Sequence, residues 1–147
     1  MTRFFLDANV IFTAAHNPDG NGRALFKLAA RRWVVLLSSR YALEEAARNI
    51  AVKLSECIGE FNRLTNDLLL VAEPGQRQLA LAVSCGLPDK DAPILAAAIA
   101  AGASALVTGD RRDFGHLYGK SVEGVTVLTP AEAVLRVLSS RHSPRRP

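Results

Sequence analysis

The sequence predicts an α/β fold, a three-layer αβα sandwich in which helices cover both faces of a mostly parallel five-stranded sheet. Short apolar segments alternate along the chain with longer segments whose apolar residues recur at helical spacing. The short segments are continuously apolar, which is typical of strands that are buried on both faces. With 147 residues, 49% of them hydrophobic, the chain has the size and composition of one globular domain.

Strand and helix signals divide the first half of the chain. The first strand ends at Asp7, and a Pro-Asp-Gly-Asn-Gly turn at 18–22 precedes the next helix. Ser38 and Ser39 supply an N-cap for the helix that follows the second strand. The predicted elements are strand 3–6, helix 24–32, strand 33–37, helix 41–54, helix 56–67 and strand 68–72.

Glycine and proline positions divide the second half. Gly86 suits the position after a helix C-terminus, and Asp91 is a candidate N-cap for the alanine-rich helix that Gly102 ends. Thr129-Pro130-Ala131-Glu132 has the pattern of a capping box with proline at the first helical position. The predicted elements are helix 76–83, helix 92–101, strand 105–108, strand 125–128 and helix 130–138.

The net charge of +4 is concentrated at the end of the chain. Arg141, Arg145 and Arg146 lie in the last seven residues, so residues 1–140 hold 15 of the 18 basic residues and all 14 acidic ones. We therefore predict a nearly neutral domain at 1–140 and a basic, disordered tail at 141–147. Such a tail can add salt-sensitive attraction to phosphates.

The sequence indicates a cytoplasmic protein. Its N-terminus lacks the features of a secretion signal, and no apolar stretch reaches the roughly 18 residues of a membrane span. Cys57 and Cys85 have no metal-ligand spacing, which favours reduced thiols. We expect no membrane contact.

Acidic residues follow several predicted strands. Asp7 directly follows the first strand, and Asp110 follows the fourth. In parallel sheets, ligand sites collect at the carboxyl ends of the strands, so these side chains are expected to converge. The further acids near strand ends or helix starts are Glu44, Glu45, Asp89 and Asp91.

A group of acids with no Lys or Arg between them points to a bound cation. Neighbouring carboxylates repel and raise one another's pKa values, and a hard divalent cation removes that cost. Mg²⁺ and Mn²⁺ prefer oxygen ligands, and they can activate water and stabilise oxyanions during phosphodiester cleavage. We therefore expect Mg²⁺ or Mn²⁺ at these acids.

Four segments carry a family resemblance: FLDANVIF at 5–12, SSRYALEEAARNI at 38–50, PDKDAPILAAAIAAGASALVTGDRRDFGHLYG at 88–119 and GVTVLTPAEAV at 124–134. With them the sequence resembles the PIN-domain family, especially the toxin-like bacterial ribonucleases of the VapC type. FLDANV alone is a weak signal, but its conjunction with the third segment in the family's order is strong. The resemblance extends to about Leu138.

The resemblance implies that the catalytic and metal-binding acids are Asp7, Glu45, Asp91 and Asp110. Glu45 matches better than Glu44, because the family places a small or apolar residue, here Ala46, after this acid. The pairs Asp89/Asp91 and Asp110/Asp113 leave the choice of ligand open. Residues predicted to support these acids are Asn9, Thr108, Asp113, Glu44 and Asp89.

The resemblance also implies a sheet of order 3-2-1-4-5, dependence on Mg²⁺ or Mn²⁺, and cleavage of single-stranded RNA. For toxin-type members it implies a homodimer and an antitoxin partner. Arg111 and Arg112, beside Asp110, are candidates for contact with RNA phosphates, and ordinary surface charge explains them equally well.

Other functions leave different patterns. A haloacid-dehalogenase-like phosphotransferase needs a second Asp two residues after the first, where this chain has Asn9. A catalytically silent PIN-like binding module would be expected to have lost one of the four acids. A PIN-like nuclease of RNA maturation or of DNA stays open, because the preference for RNA rests on the resemblance alone.

Overall fold

One six-stranded sheet organises the protein, in a computed structural model that describes residues 2–142. The strands are β1 (Arg3–Leu6), β2 (Val35–Ser38), β3 (Leu69–Leu70), β4 (Ala105–Val107), β5 (Ser121–Val122) and β6 (Val125–Leu128). The helices are α1 (Ala8–His16), α2 (Asn21–Ala30), α3 (Arg40–Lys53), α4 (Ile58–Thr65), α5 (Gln76–Ser84), α6 (Ala92–Ala100), α7 (Arg111–Phe114) and α8 (Pro130–His142). Short 3₁₀ turns precede α4 and follow α7.

The strand order is β3-β2-β1-β4-β6-β5, and every neighbouring pair is parallel except β5–β6. The predicted order 3-2-1-4-5 is confirmed for the five predicted strands, the fifth of which is β6. The sheet has one strand more than predicted, because β5 is a two-residue edge strand. Its hairpin turns through Glu123 and Gly124, both with positive φ, and lacks the Asn-Gly or Asp-Gly pair that marks such turns in a sequence.

Both faces of the sheet are covered. Phe4, Phe5 and Leu6 are consecutive in β1 and all fully buried, although neighbouring strand residues point to opposite faces. The three residues of β4 are buried in the same way. Among the helices, α1 packs against α2, α3 and α4, α8 packs on α2, and α5 packs on α6. The predicted three-layer sandwich is confirmed.

Helix α1 differs from the prediction, which has no element between the first strand and residue 24. It begins directly after β1, because Asp7 Oδ1 accepts a hydrogen bond from the Ala8 amide at 2.7 Å and caps the helix. Val10, Ile11 and Ala14 recur at helical spacing and are buried. The strand therefore passes into a helix with no intervening loop, which brings Asp7 and Asn9 to one place.

Several predicted helix ends are confirmed. Ser39 caps α3 by accepting a hydrogen bond from the Ala42 amide at 3.1 Å. Gly86 follows α5 with φ +79°. Thr129 and Glu132 form a reciprocal capping box at the start of α8, with distances of 3.0 and 3.1 Å.

The last helix extends beyond the predicted domain boundary. Helix α8 ends at His142, so Arg141, which we predicted to be in the tail, is helical, and its guanidinium lies 4.6 Å from the centre of the Trp33 ring. The rest of the predicted tail, including Arg145 and Arg146, lies outside the described residues. Within residues 2–142, no helix combines the length and the apolar character needed to span a bilayer.

Candidate metal centre

The pairing of β1 with β4 fixes the position of Asp7. These strands are parallel neighbours, and Leu6 pairs with Val107. The residues that follow, Asp7 and Thr108, therefore lie side by side at the carboxyl edge of the sheet, and the Asp7 amide donates to the Val107 carbonyl at 3.0 Å. Both side chains are buried, Asp7 with 4% exposure and Thr108 with none.

Neutral donors hold the Asp7 carboxylate. Its Oδ2 accepts hydrogen bonds from the Thr108 hydroxyl at 2.9 Å and from the Asn9 side-chain amide at 3.2 Å. Asn9 is fixed in turn, because its Oδ1 accepts the Gly109 amide at 2.8 Å. Asn9 and Thr108 thus contact the acid that they were predicted to support.

Burial raises the pKa of Asp7 to about 6, against the hydrogen bonds from Thr108 and Ala8, which lower it. The negative charges of Glu45 and Asp110 raise it further. At neutral pH without a cation, an ionised Asp7 is therefore in an unfavourable environment. A positive charge at this point would reverse that.

Three other aspartates form the tightest carboxylate group. One oxygen each from Asp91, Asp110 and Asp113 lies within 4.8 Å of the other two. Asp110 is oriented by the start of α7, since its Oδ1 accepts the amides of Arg112 at 2.9 Å and Asp113 at 3.0 Å. Asp113, predicted as a supporting residue, therefore lies as close to the centre as the two predicted ligands.

The Asp91 carboxylate is buried and under-bonded. Asp91 occupies the N-cap position of α6, but its side chain makes no capping hydrogen bond, which corrects the capping part of the prediction. Its side chain is nearly buried, and Oδ2 has no hydrogen-bond partner. Burial, followed by the contact with Asp113, raises the pKa of Asp91 to about 7.

A lysine lies among the acids, contrary to the expectation that no basic side chain separates them. Lys90 Nζ is 3.1 Å from Asp113 Oδ2 and 3.6 Å from Asp91 Oδ2. The Tyr41 hydroxyl donates to the Lys90 carbonyl at 2.6 Å, which ties this loop to α3. The contact with Asp113, followed by the charge of Asp91, raises the pKa of Lys90.

The remaining predicted acids are not members of this group of three aspartates. Glu45, in α3, is half-buried, and its charge acts on Asp7, whereas Glu44 is exposed on the same helix. Asp89 is also exposed. Arg111 and Arg112 are exposed at the start of α7.

The donor set suits a hard divalent cation. All the ligand candidates are carboxylates, which Mg²⁺ and Mn²⁺ prefer. Asp91 belongs to the group of three aspartates, and its buried Oδ2, which accepts no hydrogen bond and lies 3.6 Å from the Lys90 ammonium, could coordinate such a cation. The residues present therefore fit a Mg²⁺ or Mn²⁺ ion.

Three contact residues escaped the sequence analysis: Tyr41, Lys90 and Tyr118. The Tyr118 hydroxyl lies 2.8 Å from the Thr108 carbonyl and 3.2 Å from the Asp110 carbonyl, so it braces the turn between two predicted site residues. Tyr118 and Tyr41 act through backbone carbonyls, which leave no pattern in the sequence. Lys90 stands next to Asp91, and its adjacency to that acid was the one available signal.

Comparisons with known proteins identify the family and the fold. Residues 3–112 match the family model of the PIN domain. No curated protein sequence matches the chain significantly. Similar folds occur in solved structures, among them three with sequence identities of 14–17%.

In three of these structures, the match with this protein covers almost the whole of the solved chain. PAE2754 from Pyrobaculum aerophilum has 17% identity and a TM-score of 0.67, and the match covers 94% of this chain and 98% of that one. VapBC2 from Rickettsia felis, bound to a fragment of its promoter DNA, has 15% identity, a TM-score of 0.67, and coverage of 87% and 98%. VapC20 from Mycobacterium tuberculosis, a toxin that cleaves the sarcin-ricin loop, has 14% identity, a TM-score of 0.55, and coverage of 82% and 97%.

The family model spans most of the sheet and every acid of the candidate metal centre except Asp113. The solved structures share the fold over nearly the whole chain. The protein belongs to the PIN-domain family.

Proposed function

We propose that the protein is a cytoplasmic, Mg²⁺- or Mn²⁺-dependent endoribonuclease that cleaves single-stranded RNA, and that it is the toxin of a toxin–antitoxin pair. The observation that carries the proposal is the group of Asp91, Asp110 and Asp113 beside the buried Asp7, with one carboxylate oxygen left unpartnered. PIN domains are generally nucleases that use divalent metals. The VapC20 toxin, which has a similar fold, cleaves the sarcin-ricin loop.

The side chains have separable tasks in this mechanism. The acids that would hold the cation are Asp7, Glu45, Asp91, Asp110 and Asp113. A divalent cation bound there supplies an activated water and stabilises the charge that develops on the phosphate. Thr108 and Asn9 keep Asp7 in its orientation. Arg111 and Arg112 are placed to contact phosphates of the substrate.

Cleavage of a labelled single-stranded RNA in Mg²⁺, in Mn²⁺ and in EDTA tests the proposal. We expect cleavage with either metal and none in EDTA. Asp7→Asn and Asp110→Asn should each reduce the rate by at least about 1,000-fold, because each removes a carboxylate from the centre. Asp67→Asn is the matched control, since this exposed acid precedes β3 at the opposite edge of the sheet.

The substrate panel separates the alternatives. If a DNA strand of the same sequence is cleaved as fast as the RNA, the protein is a general nuclease and not a ribonuclease. Cleavage of a structured precursor in preference to single strands would favour a role in RNA maturation. If calorimetry shows metal binding but no substrate is cleaved, the protein is a catalytically silent binding module.

The toxin assignment and the homodimer need their own test. The VapBC2 complex, which has a similar fold, supports an antitoxin partner for this chain. Expression of the chain in bacteria should stop growth, expression of Asp7→Asn should not, and co-expression of a small protein encoded beside it should restore growth. Sedimentation of the purified protein as a monomer would exclude the homodimer.

A further inference from the structure

A cleft of about 420 Å³ lies directly beside the metal centre, between α1, the start of α2 and the start of α8. The cleft and the centre share a wall. Asn9, which donates to Asp7, lines the cleft, and so does Gly109, the residue before Asp110. An RNA strand with one phosphate at the carboxylates would therefore have an adjoining nucleotide at this cleft.

The cleft and the metal centre have opposite electrostatic character. Among the described residues that line the cleft, none is acidic, and Arg111 is the one charged side chain. The other side of Asp110 holds Asp91 and Asp113. The described part of the cleft therefore presents a phosphate with one positive side chain and no negative one.

Two adjacent arginines differ in their position relative to the cleft. Arg111 lines the cleft. Arg112 is not among the described residues that line the cleft, and its backbone amide donates to Asp110 Oδ1 at 2.9 Å. The two arginines, which the sequence could not tell apart, are therefore expected to have different roles.

The size and lining of the cleft suit a nucleotide. Binding pockets for small molecules have volumes of roughly 300–1,000 Å³, so this cleft has room for one nucleotide and not for a duplex. Asn17, Asn21 and Thr13 line it with side chains that can both donate and accept hydrogen bonds to base edges. Tyr118 adds an aromatic ring whose hydroxyl is held by the backbone.

We propose that this cleft, lined by Asn9, Thr13, Asn17, Asn21, Arg111 and Tyr118, binds the nucleotide next to the scissile phosphate of a single-stranded RNA. The inference rests on the proposed function and adds a substrate subsite to it. Arg111 contacts a phosphate of this nucleotide. The cleft thereby selects unpaired RNA, because a base must leave its helix to enter it.

Ala131 allows a charge test that spares the fold. It is exposed, lines the cleft and lies in the first turn of α8, where an acidic side chain favours the helix. Ala131→Glu should raise the KM for a short single-stranded RNA by about tenfold at low salt, and the increase should shrink as salt screens the repulsion. Ala131→Gln has the same bulk without the charge. Gln76→Glu places the same charge in the first turn of α5, away from the cleft.

Binding measured without cleavage separates this inference from the proposed function. Fluorescence anisotropy of a labelled RNA in EDTA should show a dissociation constant about tenfold higher for Ala131→Glu than for Ala131→Gln or Gln76→Glu, with the increase lost at high salt. Arg111→Gln should weaken binding more than Arg112→Gln. Equal affinities for Ala131→Glu, Ala131→Gln and Gln76→Glu would overturn the subsite even if RNA is cleaved. If the dissociation constants differ as expected but no RNA is cleaved, the proposed nuclease activity is wrong and the proposed subsite stands.

Discussion

The two halves of the metal centre are built in different ways. In one half, Asp7 receives hydrogen bonds from the Ala8 amide, the Thr108 hydroxyl and the Asn9 amide, and these donors are themselves held by β4 and α1. In the other half, Asp91 has an oxygen with no hydrogen-bond partner and a lysine ammonium 3.6 Å away. The fold supplies donors to the first half, whereas one buried oxygen of the second half accepts no hydrogen bond.

This difference indicates a division of labour. Neutral donors fix the orientation of Asp7 without cancelling its charge, so the carboxylate keeps its attraction for a cation. In the other half, burial raises the pKa of Asp91, whereas the hydrogen bond with Asp91 lowers the pKa of Asp113, so the charge of this pair depends on its surroundings. Changes at Asp7, Thr108 and Lys90 can therefore separate the two halves.

The largest expected effect is on stability, from removing the charge of Asp7. Its pKa in the folded protein is about 6 instead of the ordinary 3.8, so folding favours the protonated form. The stability that this provides is fully present below pH 3.8 and is lost as the pH rises through about 6. Asp7→Asn should therefore raise the free energy of unfolding at pH 7.5 by up to about 3 kcal/mol, with almost no gain near pH 3.5.

Urea unfolding of both proteins in EDTA at the two pH values measures this difference. Mn²⁺ should then stabilise the wild type more than the variant, because a bound cation compensates the buried charge. A variant that is less stable than the wild type at pH 7.5 would show that the hydrogen bonds of Asp7, and not its desolvation, dominate. The buried Asp7 carboxylate would then stabilise the fold in the absence of a cation.

The next effect concerns Thr108, whose hydroxyl joins Asp7 to the backbone of Asp110. Thr108→Val keeps the shape of the fully buried side chain but removes the hydroxyl, which donates to Asp7 and accepts the Asp110 amide at 3.1 Å. Affinity for Mn²⁺ should fall by about 10- to 100-fold, as is usual when the residues that orient metal ligands are changed. Since this hydrogen bond lowers the pKa of Asp7, the pH at which Mn²⁺ binding is half-maximal should also rise.

Calorimetric titrations with Mn²⁺ over about pH 5.5–8, the range in which an acid of pKa about 6 ionises, would record both changes. Thr108→Ser is the matched control, because it keeps the hydroxyl, and it should recover most of the affinity. If valine and serine behave alike, the hydroxyl does not orient Asp7.

The smallest effect is expected at Lys90. Its ammonium lies between two carboxylates and competes with a cation for them, although most of the side chain is exposed and therefore screened. Lys90→Met should tighten Mn²⁺ binding by about three- to tenfold at low salt, with a smaller gain at high salt. Lys53→Met, an exposed lysine at the end of α3, is the control. Weaker binding in Lys90→Met would mean that the lysine supports the centre and does not compete for it.

The sequence could predict what the parallel sheet dictates. Asp7 and Thr108 are distant in the chain, but each follows a central strand, and neighbouring parallel strands bring their carboxyl ends together. The strand order was predicted from the resemblance to the PIN-domain family, and the caps at Ser39, Gly86 and Thr129 from local capping rules. Helix α1 escaped because Asp7 ends a strand and caps a helix at once, so the usual turn signal is missing.

What could not be predicted depends on loop conformation. Lys90 reaches Asp113 only because its loop is tied to α3 by the Tyr41 hydroxyl, a contact between residues 49 positions apart. The cleft exists because α1, α2 and α8 meet beside Gly109, and no single segment contains its pattern. Long-range packing of this kind leaves no local periodicity in the sequence.

The central pairing of β1 with β4 has a consequence for synthesis on the ribosome. Asp7 acquires its Thr108 hydrogen bond across 101 positions, and β4 is bordered on its other side by β6, with the Thr108 amide bonded to the Leu128 carbonyl at 3.0 Å. An emerging chain cannot form the contact between Asp7 and Thr108 until β4 has left the exit tunnel. Under the proposed function, the chain could not cleave the message that encodes it until most of its own synthesis was complete.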